Sequence, residues 1–87
     1  MKHPLEVEGY EGTLEELATA VGKMRYDRVE EFLERLADDL RKQADGDKAR
    51  GRDKLADRLY TIACKLYQAR DEMEKAWKIC EPYMKKK

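Results

Sequence analysis

Leu55, Leu59, Ile62, Leu66, Ala69, Met73, Ala76, Cys80 and Tyr83 recur at alternating steps of four and three residues. At 3.6 residues per turn, this spacing keeps one apolar stripe on a single helix for about eight turns. A helix of that length needs a partner of similar length, so the spacing predicts an all-α protein. It names no chemistry.

The partner lies upstream. Thr13 followed by Glu16 is a capping-box pattern, in which each side chain satisfies a backbone N–H at a helix start. Glu15 and Glu16 also suit the positive end of the helix dipole. Leu14, Leu17, Ala18 and Val21 form one apolar face, and Val29, Phe32, Leu33, Leu36, Ala37 and Leu40 form a second. The second face is rotated by about 70–80° from the first, opposite in sense to coiled-coil drift. Gly22 lies at the junction and is the poorest helix former there. A kink or break is expected near residues 21–25, separating a helix of about 13–21 from one of about 24–44.

Ala44-Asp45-Gly46-Asp47 reads as the turn, with Gly46 closing one helix and Asp47 capping the next. A start at Asp53, with Gly51 in the loop, is the alternative. Starting at Asp47 makes the two arms nearly equal in length, and the last helix then spans about 48–81. Pro82 lacks the N–H that would bond to Lys78, which fits a helix end. The expected organisation is an N-terminal arm (1–12) docking Leu5, Val7 and Tyr10, one helical domain (13–84) and a basic tail (85–87).

With 87 residues the chain supports one small domain. Its 19 basic and 19 acidic side chains balance, so net charge gives no long-range attraction to nucleic acid or an anionic membrane. Residues 1–47 carry 13 acidic and 7 basic groups and residues 48–87 carry 6 and 12, a contrast suited to pairing within or between chains. Cys64 and Cys80 lie about 24 Å apart on one helix and cannot bridge within it. Cys64 reads as a packing cysteine near the tyrosine flank, and Cys80 as core. No signal-peptide core or membrane-length apolar run is present, so a cytoplasmic protein is expected.

Ala56, Tyr60, Ala63, Tyr67 and Trp77 widen the apolar arc of the last helix to roughly 200°, beyond the ~100° that one neighbour covers. The reading is an antiparallel helical hairpin with a kinked or broken first helix, pairing as a homodimer into a four-helix bundle. Those five residues are the expected protein interface.

Chemistry is harder to find. Glu30, Glu31, Glu34 and Asp38 resemble, over one short segment, the magnesium-holding carboxylates of all-helical nucleotide pyrophosphatases. The resemblance implies a magnesium-dependent hydrolase. The helical phase of these residues turns them toward water instead, and Asp71, Glu72 and Glu74 offer no matching spacing. His3 is the one histidine, and the chain has no serine. Lys48, Arg50, Arg52, Lys54 and Arg58 could meet nucleic-acid phosphates. Asp47, Asp53 and Asp57 interrupt them, no aromatic is interleaved for stacking, and Asp38, Asp39 and Asp45 could pair with them across the turn.

The sequence therefore leads to a small non-enzymatic protein working by protein–protein contact as an adaptor, assembly or regulatory factor. No catalytic, cofactor or metal residues are expected. A nucleic-acid-binding module using residues 48–58 is the alternative reading, and the hydrolase a third.

Overall fold

The structure, a computed structural model, describes residues 3–84. The described residues form three helices: α1 (Leu14–Gly22), α2 (Tyr26–Ala49) and α3 (Asp53–Met84). The expected basic tail, 85–87, lies outside the described residues.

The capping box at Thr13 forms. Its hydroxyl accepts from the Glu16 N–H at 3.0 Å, and the Glu16 carboxylate accepts from the Thr13 N–H at 2.9 Å. That bond to an exposed carboxylate holds Glu16 below its ordinary pKa. The break after α1 falls at residues 23–25. Gly22 is the last residue of α1, and Arg25 enters α2 with extended backbone (ψ 142°).

The turn between the long helices is displaced from the expected one. α2 runs on through Ala44-Asp45-Gly46-Asp47 to Ala49, and α3 begins at Asp53 rather than Asp47. The reason lies at Gly51, whose φ of +80° is the left-handed conformation that closes a helix. The Arg52 N–H reaches the Asp47 carbonyl at 2.8 Å and the Gly51 N–H the Lys48 carbonyl at 3.0 Å, the paired bonds of a Schellman cap. α3 also passes its expected end, since Pro82 sits inside the last turn. The proline removes one backbone bond without stopping the last two helical residues.

α2 and α3 pack along each other in opposite directions. Contacts of Tyr60 with Asp45, Tyr67 with Asp38 and Arg70 with Glu34 fix this register. The core is Val29 of α2 and, along the seam, alanine. Ala37, Ala44 and Ala56 are 0% exposed and Ala63 is 2% exposed. Alanines seven residues apart on each helix stack on one face, and their small side chains let the backbones approach closely.

The arm does not dock as expected. Leu5 is fully exposed and Val7 nearly half exposed. Gly9, at φ +82°, turns the chain, with the Tyr10 N–H bonded to the Val7 carbonyl at 3.2 Å. The Tyr10 ring then lies against Gly12, where a Cβ would stand 2.7 Å from it. α1 itself buries no residue.

Candidate functional site

The α2–α3 seam has two unlike edges. Along one edge the Tyr60 hydroxyl donates to Asp45 and the Tyr67 hydroxyl to Asp38. Arg70 completes the row with a 3.1 Å bond to Glu34. Arg70 and Arg41 also stand 5.0 and 5.8 Å from the Tyr67 ring centre, where the ring face attracts a cation. The tyrosine bodies thus cover the alanine seam, while their hydroxyls end on carboxylates.

Along the other edge the side chains are apolar and incompletely covered. Leu33 and Leu40 of α2 and Leu59, Leu66 and Met73 of α3 are half-buried. Outside them Phe32, Leu36, Leu55 and Ile62 are 38–44% exposed. Among the described residues no large side chain is fully buried. The chain measures 53 × 29 × 14 Å. With packed helices about 8–10 Å apart, its short dimension holds at most two of them.

Of the residues expected to form an interface, the two alanines are closed off within the chain. Ala56 and Ala63 are enclosed by α2 of the same chain, and Tyr60 and Tyr67 are bonded to α2 carboxylates. Trp77 is half-buried, with the Arg25 guanidinium 5.3 Å from its ring. The leucine stripe, the face assigned from sequence to the intramolecular partner, is half-buried like Tyr60, Tyr67 and Trp77 and carries Phe32, Leu36, Leu55 and Ile62 exposed beside it. The signal that distinguishes the two faces is the matched alanine spacing, Ala37 and Ala44 against Ala56 and Ala63.

The carboxylate group is dispersed. Glu31 pairs with Arg28 at 3.0 Å and with Arg35 at 3.1 Å, and Glu34 pairs with Arg70. Glu30, expected to face water, is half-buried. Burial first, then Glu74 and Glu34, push its carboxyl above the usual range, with Arg70 opposing. Among the described residues no group of three or more His, Cys, Asp or Glu side chains is placed to hold a metal ion.

Lys48, Arg50, Arg52, Lys54 and Arg58 gather around the turn, all exposed. The ion pair within this group joins Arg52 to the buried Asp47 at 3.1 Å. The expected pairing with Asp38, Asp39 and Asp45 does not form, because those carboxylates accept from Tyr67, Gln43 and Tyr60. His3 lies beside Gln43, Gly46 and Arg50 in an open cleft. Cys64, expected to pack, is exposed, and Cys80 is half-buried; both are free thiols.

Fold and surface together define an all-helical protein with one incompletely covered apolar face. Comparison with known proteins finds no matching family model, and no curated protein or solved structure with significant similarity. No helix among the described residues is long and apolar enough to cross a membrane.

Proposed function

We propose that this is a non-enzymatic helical protein that works by protein–protein contact, as an adaptor, assembly or regulatory factor of the cytoplasm. Its α2–α3 hairpin pairs with a second hairpin into a homodimeric four-helix bundle. The observation that carries the reading is surface area. A compact monomer of this mass exposes about 5,400 Å², whereas the chain exposes 7310 Å². The surplus is more than twice the ~800 Å² that each partner contributes to a standard interface. Phe32, Leu36, Leu55 and Ile62 add exposed apolar surface along one edge of the seam, as an interface core requires.

The test is light scattering with thermal unfolding at several protein concentrations, on the wild type and on the double variant Leu36→Glu, Ile62→Glu. Both residues are about two-fifths exposed in one chain, so a single copy tolerates the charges and only a second copy rejects them. The wild type is expected at twice 10.3 kDa, with a melting temperature that rises with concentration. The variant is expected at 10.3 kDa with its helicity retained. A wild type at the single-chain mass with concentration-independent melting overturns the homodimer. Steeply salt-dependent binding of short RNA or DNA, lost when Lys48, Arg50, Lys54 and Arg58 become glutamine, would favour the nucleic-acid reading instead.

A further inference from the structure

On the open edge of α3, Leu55, Ile62, Ala69 and Ala76 are seven residues apart and therefore one above another along one line of the helix. Leu55, Ile62 and Ala69 are exposed and Ala76 is half-buried. Their order is large, large, small, small. Read from the other end, the order is small, small, large, large. Resting on the dimer proposed above, we infer that α3 packs antiparallel against α3 of a second copy, with a two-fold axis passing between Lys65 and Leu66. Leu55 then lies over Ala76 of the second copy and Ile62 over Ala69, each contact occurring twice, as an isologous interface demands. Large residues meet small ones at all four levels, which is how packed layers interlock.

The opposite orientation, turn beside turn, lays α2 of one copy on α3 of the other. The register set by Tyr60–Asp45 and Tyr67–Asp38 puts Ile62 level with Gln43 and Leu55 level with Arg50. These two exposed apolar side chains of α3 would then face polar or charged groups. In the antiparallel arrangement both are covered by alanine. The surplus area is sufficient for such a contact, since a helix of 32 residues is about 48 Å long and contributes its whole apolar edge.

Two measurements test the orientation in a Cys64→Ala, Cys80→Ala background. Ile62→Cys and Ala69→Cys chains are oxidised separately and, as free thiols equilibrated together, in a mixture. The antiparallel contact joins them in the mixture, and each alone stays uncrosslinked because like positions stand about 10 Å apart along the axis. A nitroxide at Lys54→Cys should report an interchain distance of about 35 Å or more by pulsed electron resonance, given 1.5 Å per residue. A dimer with a label distance under roughly 25 Å and no mixed disulfide overturns the antiparallel packing and leaves the four-helix bundle standing. A monomer overturns both.

Discussion

The Tyr67 hydroxyl donates to the Asp38 carboxylate across the α2–α3 seam, joining residues 29 apart in sequence. The Asp38 bond is the main reason the Tyr67 phenol is held above its ordinary pKa, and Tyr60 is raised in the same way by Asp45. Both residues cap the polar edge of a seam whose interior is alanine.

Because folding favours the protonated phenols, their contribution is whole below the unfolded value of about 10 and is lost as pH climbs through the raised value. Phenolate absorbance should therefore show two tyrosines titrating late. The melting temperature should fall more steeply above pH 10 in the wild type than in Tyr60→Phe, Tyr67→Phe. Equal slopes would remove these hydrogen bonds from the account of stability.

Glu30 gives the reverse experiment. Its raised carboxyl means that the fold prefers the protonated acid, a contribution present below the unfolded value of about 4.3 and lost as pH rises through the folded one. Glu30→Gln should raise the melting temperature at pH 7 and leave it unchanged near pH 3. A loss at pH 7 would mean that attraction to Arg70 outweighs burial and the neighbouring Glu74 and Glu34.

Ala44 is wholly enclosed where α2 meets α3. Ala44→Leu inserts three heavy atoms into a closed seam and should destabilise the fold by about 1–3 kcal/mol. Chemical denaturation measures it. The same change at the exposed Ala49, just outside the seam, is the control and should be nearly silent.

Much of the fold was legible because helical periodicity and capping are local. Thr13 and Glu16 announced the start of α1, and the rotated stripes around Gly22 announced a break. The turn was not legible, since Gly46 and Gly51 are both turn residues by composition. Only the bonds from Arg52 and Gly51 back to Asp47 and Lys48 distinguish them. At Gly46 the helix continues, with the Arg50 side chain alongside. The relative burial of the two apolar faces was not legible for a different reason. An apolar stripe does not say how closely its face is covered, and size decides: alanine admits the facing backbone of α2 or α3, whereas the leucines stay half-buried at the edge of the seam.

Gly51 permits a further prediction. Its φ of +80° is unfavourable for any residue with a Cβ, although the space around it is open. Gly51→Ala should therefore cost about 1–2 kcal/mol through backbone strain alone. The helical signal of the folded state should persist, and the loss should appear in the denaturation midpoint. An unchanged midpoint would show that the turn relaxes out of the left-handed conformation.

Among the described residues the chain encloses alanines and Val29 but fully buries no large side chain, so in the proposed dimer the hydrophobic core is complete only when the second copy is laid against it. Dilution then acts on such a molecule as a denaturant does, by raising the share of copies whose leucines are wet. Proteases clear open copies first, so the cellular level of the protein would follow the supply of its covering surface rather than its own rate of synthesis.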